Sequence, residues 1–190
     1  MARVRGMAFL GTARHIKREF GEGVLERIIA GAGPATQKTF SKKIDGLGLH
    51  PYESFVGLLR SADRELGTGD LDFVRKIADA AARADLATIF KVYAVKPSPE
   101  AMIRACTPIW GMYTDGAGYM EAIGTSQENT VLRITDFPEM DPAHCVLMES
   151  WMIGAMDVIG ARVLPGARET ECMSRGGPYH EFWCRWEPKS

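Results

Sequence analysis

The stretch "RETECMSRGGPYHEFWCRW" (168–186) reads as two short strands around a glycine turn. Gly176-Gly177 supplies backbone angles that other residues avoid, and Pro178 sits where the returning strand has not begun to pair. Beyond it His180, Phe182, Cys184 and Trp186 alternate with Glu181, Trp183 and Arg185, so the even positions share one face. The reading is a β-hairpin with its turn at Arg175–Pro178. It holds two of the chain's four cysteines, one of its four histidines and two of its four tryptophans. That concentration suits a metal site, a thiol pair or a packed core, since buried thiols behave as small hydrophobes.

Upstream, "DPAHCVLMESWMIGAMDVIGA" (141–161) has the pattern of a capped helix. Asp141 is the cap, Pro142 the first helical residue, and Gly160 lies near the end. A strand follows at Ala161–Leu164. Before it, "GYMEAIGTSQENTVLRITDF" (118–137) shows two short runs around a polar Ser-Gln-Glu-Asn turn, and residues 131–136 alternate with period two, which predicts another hairpin.

The first hundred residues read differently. Ile16, Phe20, Val24 and Ile28 recur at four-residue spacing, a helix face interrupted at Gly21-Glu22-Gly23. Helices are expected after Pro51, ending at Gly67, and from an Asp70 cap through to Val95. Ser98-Pro99-Glu100 opens a further helix, which Pro108 should kink. Helices should fill most of the chain to about Thr114, followed by strands in the order β-β-α-β-β. Helices in front and antiparallel strands behind mean an α+β fold. The expected organisation is a helical part over residues 1–97 and an α+β ligand-binding core over 98–190, packed as one compact unit.

At 190 residues, with 46% apolar and 25% charged side chains, the composition is that of an ordinary globular domain. The net charge of −1 argues against non-specific nucleic-acid binding and against a basic membrane-binding surface, the Arg14, Lys17 and Arg18 cluster reading as a solvated helix face. No apolar run approaches the roughly 18 residues of a membrane span. The N-terminus lacks the apolar core and cleavage site of a signal peptide, so the expected compartment is the cytoplasm, where cysteines are thiols or metal ligands. There is no glycine-rich phosphate loop, no His-Glu-x-x-His and no Gly-x-Ser-x-Gly elbow. No nucleophile, base and orienting group can be nominated together, and a non-catalytic role is expected.

The segment 98–186, carried by "HCVLMESWMIGAMDVIGARV" and "RETECMSRGGPYHEFWCRW", resembles the ligand-binding fold shared by 4-vinyl-reductase-type domains, phenol-sensing bacterial regulators, haem-NO-binding domains and the membrane-tethering TRAPP subunits. "RHIKREFG" and "DLATIFKVY" are similar to the helical lead of bacterial haem-NO-binding-associated proteins. In the phenol-sensing relatives the matching positions hold a structural zinc. The resemblance therefore implies Cys145, Glu169, Cys172 and His180 as ligands, with His180 standing where the family has cysteine. Thiolate, imidazole and carboxylate are all ordinary zinc donors. Packed thiols without metal, or a disulfide, are the alternatives. Haem is set aside as a cofactor at this point, because the Tyr-x-Ser-x-Arg stretch of the haem-NO-binding proteins is absent and neither His15 nor His144 has a supporting motif.

The resemblance also implies a pocket between helices and sheet. Its expected walls are Phe90, Trp110, Tyr113, Met148, Trp151 and Met152, all on segments that should pack on the sheet, where they serve equally well as plain core. The expected role is a sensor or accessory protein that binds a small hydrophobic or aromatic molecule. With the sequence ending at residue 190, its signal would pass through a protein partner or a homodimer interface. An interaction scaffold with a filled pocket, like the TRAPP subunits, is the alternative. A factor acting on a tetrapyrrole or aromatic compound is a third.

Overall fold

The structure is a computed structural model that describes residues 1–96, 98–126 and 129–189. Gln127 and Glu128 of the expected polar turn, and Pro97 at the expected boundary, lie outside the described residues. The architecture is α+β.

Helices α1 (Gly6–Phe20) and α2 (Glu22–Gly31) meet at Gly21, whose φ of 90° breaks what the spacing alone would continue. They are followed by α3 (Pro34–Phe40), α4 (Tyr52–Leu66), α5 (Asp72–Ala87) and α6 (Lys91–Val95). Phe9, Ile16, Ile28, Leu58, Leu59, Ile77 and Leu86 are fully buried where these helices meet. The start of α5 differs from expectation. Asp70 accepts a bond from the Asp72 amide at 3.1 Å, but the buried Asp63 carboxylate takes the amides of Leu71 and Phe73, at 2.9 and 3.1 Å. The expected single helix to Val95 is interrupted at Thr88–Phe90, between α5 and α6. Likewise Pro108 does not kink a long helix. The break falls at Ala105, between α7 (Pro99–Arg104) and α8 (Cys106–Tyr113), and Pro108 sits in the first turn of α8, where its missing N–H costs nothing.

The helical half also contains strands that the sequence did not signal. β1 (Arg3–Arg5) pairs antiparallel with β2 (Leu49–Pro51) and β3 (Thr114–Asp115), in the order β2-β1-β3. Two or three residues are too few to show a period.

The larger sheet contains β4 (Tyr119–Ser126), β5 (Asn129–Thr135), β6 (Ala161–Val163), β7 (Arg168–Glu171) and β8 (His180–Pro188). Between β5 and β6 runs α9 (Pro142–Val158), with the Asp141 carboxylate accepting from the Ala143 amide at 2.8 Å as cap. Three strands follow this helix, as the strand at Ala161–Leu164 and the two-stranded hairpin together imply, so the β-β-α-β-β order is one strand short. All pairings are antiparallel. β8 is long enough to pair with β5 along one edge and with β7 and then β6 along the other. Its register sets Ile134 opposite His180, Leu132 opposite Phe182 and Thr130 opposite Cys184. On β5, Thr130, Leu132 and Ile134 are buried in alternation with half-buried neighbours. α5 and α9 pack tightly because Gly154 has no side chain: a Cβ there would stand 2.9 Å from the Asp79 carboxylate and 3.2 Å from Ala82. One hydrophobic core runs from Ala2 to Trp186.

Candidate functional site

Two groups of residues meet at the N-terminal end of α9. The first is the quartet Cys145, Glu169, Cys172 and His180. The cap sets Cys145 in the first turn of α9, β7 carries Glu169, Cys172 follows it, and His180 opens β8. The hairpin turn between them has a 3-10 turn at Met173–Arg175 and Gly176 at φ 88°.

One donor atom from each of the four residues lies within 4.8 Å of the others. The Cys145 and Cys172 sulfurs are 3.9 Å apart, and both cysteines are free thiols. Cys145 Sγ lies 3.5 Å from His180 Nδ1, which lies 3.2 Å from Glu169 Oε1. Around a tetrahedral zinc, bond lengths of about 2.0–2.3 Å put two thiolates about 3.8 Å apart, thiolate and imidazole about 3.5 Å, and imidazole and carboxylate about 3.3 Å. The Cys145–Cys172, Cys145–His180 and His180–Glu169 spacings match those values.

The tautomer fits as well. His180 is fully buried and its Nε2–H donates to the Phe137 carbonyl at 3.2 Å. In the neutral ring that leaves Nδ1 as a lone pair facing a carboxylate oxygen, a contact that needs a proton or a cation between the two. Burial pushes the Cys145 thiol well above its ordinary value, and the nearby Glu169 carboxylate adds to this. Burial raises Glu169 too, but hydrogen bonds from His180, Cys145 and Cys172 outweigh it and hold the carboxyl below its usual range. Arg175 pairs with the other Glu169 oxygen at 2.9 Å.

The second group surrounds a cavity of about 450 Å³ between α1, α5, α8, α9 and the sheet. α9 gives it one continuous stripe: His144, Leu147, Met148, Trp151, Met152 and Ala155, at the three- and four-residue spacing of a single helix face. The sheet contributes Met120, Thr130, Leu132, Phe182 and Cys184, and α8 contributes Cys106, Trp110 and Tyr113. Exposed Arg14, Arg18 and Arg168 stand among the lining residues. Of the six expected wall residues, Trp110, Tyr113, Met148, Trp151 and Met152 come together on this cavity. Phe90 stands behind them, its ring 6.2 Å from that of Trp151 and 6.1 Å from that of Tyr113. Trp110 and Trp151 anchor their indole N–H groups, on the Ala117 carbonyl at 3.0 Å and the Asp85 carboxylate at 3.0 Å.

Sequence reasoning set His144 and His15 aside for want of a motif, and missed Asp85 and Thr130 on the cavity wall. His144 is buried, stacked on Trp110 at 5.6 Å, and its Nδ1 is 3.2 Å from the Tyr52 hydroxyl. That hydroxyl also accepts the Asp141 amide at 2.9 Å, and with a lone pair and a proton left it can accept from Nδ1–H or donate to a bare Nδ1, so the contact allows both ring tautomers. Burial, with a smaller contribution from His180, lowers the His144 pKa to about 3, so the ring is neutral. Thr130 Oγ1 and His15 Nδ1, on two other walls, are buried and have no hydrogen-bond partner among the described residues. Asp85 lines the cavity and takes the Tyr113 hydroxyl at 2.7 Å besides the Trp151 indole. The signal available in the sequence was the stripe on α9. Nothing in it distinguished a face against a cavity from a face against a core.

No family model and no curated protein matches the chain. Solved structures do match. An H-NOX protein from S. oneidensis, in the Fe(II) ligation state, superposes with a TM-score of 0.74 at 11% identity, covering 98% of this chain and 97% of that one. The same organism's H-NOX in the Fe(II)NO state gives 0.72 at 11% identity, covering 96% and 99%. The Fe(II) unliganded H-NOX protein from K. algicida gives 0.69 at 10% identity, covering 97% of each. A further match concerns heme distortion in the H-NOX family. These matches overturn the exclusion of haem on the missing Tyr-x-Ser-x-Arg stretch, because the whole fold of haem proteins is present without that motif. Among the described residues no helix is long and apolar enough to cross a membrane. From α1 to β8, the chain has the fold of the haem-NO-binding domains.

Proposed function

We propose that this chain is a ligand-binding sensor domain. Its cavity takes a ligand with a mostly apolar body, and its cysteine-histidine quartet holds a structural zinc. The observation that carries the reading is the cavity itself. Its 450 Å³ falls in the range of sites that hold small molecules and cofactors, and it is walled by aromatic, methionine and aliphatic side chains with a few polar tips. A filled scaffold core would have closed over the α9 stripe.

Haem is the ligand suggested by the structural neighbours, and the residues present fit it. His144 offers a neutral imidazole on the cavity wall, and in the tautomer whose Nδ1–H donates to the Tyr52 hydroxyl its Nε2 lone pair would be free to hold the iron. Arg14, Arg18 and Arg168 are cations able to meet the two carboxylates. An iron held there would supply a site for a diatomic gas, as NO is bound in one of the solved neighbours. This chain's own part is to exclude water with the α9 stripe and to orient His144. For another apolar ligand, Trp110, Tyr113, Met148, Trp151 and Met152 remain the contact surface, with Phe90 supporting them. The zinc would link α9 to the β7–β8 hairpin through Cys145, Glu169, Cys172 and His180, with all four positions filled by protein and none open for catalysis.

Native mass spectrometry of freshly purified protein without a histidine tag tests both halves, followed by haemin titration read by absorption. The expected result is one equivalent of zinc, and a retained ligand or stoichiometric haemin uptake with a shifted Soret band. Protein that carries no ligand, takes up no haemin and binds no apolar probe would overturn the sensor reading. Less than a tenth of an equivalent of zinc would overturn the metal half alone.

A further inference from the structure

Asp85 is a carboxylate in the wall of a mostly apolar cavity, and among the described residues neither Arg14, Arg18 nor Arg168 on the same cavity pairs with it, its side-chain partners being the neutral Tyr113 and Trp151. Tyr113 and Trp151 both donate to the same oxygen, Oδ2, at 2.7 and 3.0 Å. Among the described residues Oδ1 has no hydrogen-bond partner, and it is not sealed away in the protein either. Two neutral donors favour the charged carboxylate but do not neutralise it. Burial pushes its pKa up, with the bonds from Tyr113 and Trp151 opposing that shift. A partly buried anion surrounded by indole, phenol and methionine lacks one thing, a positive charge at Oδ1. Aromatic faces beside a carboxylate are the combination that recognises organic cations.

We infer that Asp85 is a recognition residue that meets a protonated nitrogen, an ammonium or amidinium, on a ligand whose apolar body lies along the α9 stripe. The inference rests on the cavity being the binding site. It is indifferent to what occupies the His144 end, which lies two helical turns, about 10 Å, from Trp151 along α9. The N–H of the ligand donates to Oδ1 while Tyr113 and Trp151 hold Oδ2. Tyr113 and Trp151 hold the carboxylate before the ligand arrives, so little ordering is left for binding to offset.

The test uses two probes with one body, naphthylethylamine and the uncharged naphthylethanol, titrated calorimetrically into the full chain. Wild type should bind the amine at least tenfold tighter than the alcohol. Asp85→Asn should bring the two within about threefold of each other, chiefly by weakening the amine. Tyr113→Phe leaves the carboxylate but removes a donor that holds Oδ2, and should narrow the amine preference without abolishing it. It also serves if Asp85→Asn does not fold, since a preference left unchanged in Tyr113→Phe would then count against the inference. Equal binding of both probes to wild type, or an amine preference that survives Asp85→Asn, overturns the role of Asp85. Haemin uptake without any amine preference overturns it while leaving the sensor reading intact. Failure of both probes and of haemin overturns the two together.

Discussion

Replacing His180 with alanine probes the quartet at its most buried member. The ring is fully buried, donates to the Phe137 carbonyl at 3.2 Å, and faces Glu169 and Cys145 at 3.2 and 3.5 Å. Without it the Phe137 carbonyl loses its ring partner, a cost of about 1–3 kcal/mol. The void left by the imidazole adds about 1–2 kcal/mol. A net loss of about 3 kcal/mol, at roughly 2–4 °C per kcal/mol for a chain of this size, lowers the melting temperature by about 6–12 °C. The metal reading adds a second signature. A chelator should lower the melting temperature of wild type, but not further lower that of His180→Ala. His180→Cys restores a thiolate donor and should regain metal and most of the stability. Differential scanning calorimetry with and without chelator, beside elemental analysis, measures all of this. A His180→Ala protein melting within 2 °C of wild type, or one that keeps its full zinc content, would refute the reasoning.

Three further outcomes are expected. Met148→Trp should fill the cavity and lower ligand or haemin occupancy at least tenfold, with the melting temperature no more than about 3 °C below wild type; unchanged occupancy would show that the α9 stripe is not the binding wall. Gly154→Val should destabilise by roughly 2–4 kcal/mol, because the new side chain meets Asp79 and Ala82 where α5 and α9 touch; chemical denaturation reads it, and a cost under 1 kcal/mol would contradict the close packing. Stability should also fall in acid through His144. Its folded pKa is about 3 against an ordinary 6.5, so below 6.5 the unfolded chain takes a proton that the folded one refuses, and stability is lost as pH drops towards 3. The slope is at most roughly 1.4 kcal/mol per pH unit, and His144→Phe, which cannot titrate, should flatten part of it.

Some of this architecture was plain in the linear order of residues. α9 was legible because Asp141-Pro142 and Gly160 are local signals, acting within a turn of the helix they bound. The β7–β8 hairpin was legible from its glycine turn and the alternation after it. β1, β2 and β3 were not, because their pairing depends on partners far away in the chain and each is too short to show a period. The interruption at Thr88–Phe90 escaped for a related reason: the Asp85 carbonyl takes the amides of both Thr88 and Phe90, which ends α5 without a proline or glycine. The quartet was reachable through family resemblance, but its register was not readable from alternation, because the pairing of β7 on β8 shifts between Glu169 and Glu171. The cavity's polar atoms were not reachable. Asp85, His144 and Thr130 come from α5, α9 and β5, and only the fold brings them to one wall. Haem was dismissed on a motif, whereas structural likeness to haem proteins persists at 11% identity, where motifs have had ample room to change.

The small sheet at the chain's start has a consequence for how the protein is made. β1 lies between β2 and β3, so residues 3–5 finish pairing only when residues 114–115 arrive, and the Arg3–Asp115 ion pair at 2.6 Å closes the same gap. During synthesis β1 emerges ahead of β3, and Arg3 must wait for Asp115, 112 residues later. Contacts of such sequence separation slow folding, because loop entropy is lost before pairing repays it. A fragment ending at residue 97 would retain β1 and β2 but lack the strand that covers β1's other edge, leaving an open edge available to other chains. The order of emergence thus makes the N-terminal half dependent on a two-residue strand that belongs, by sequence, to the other half.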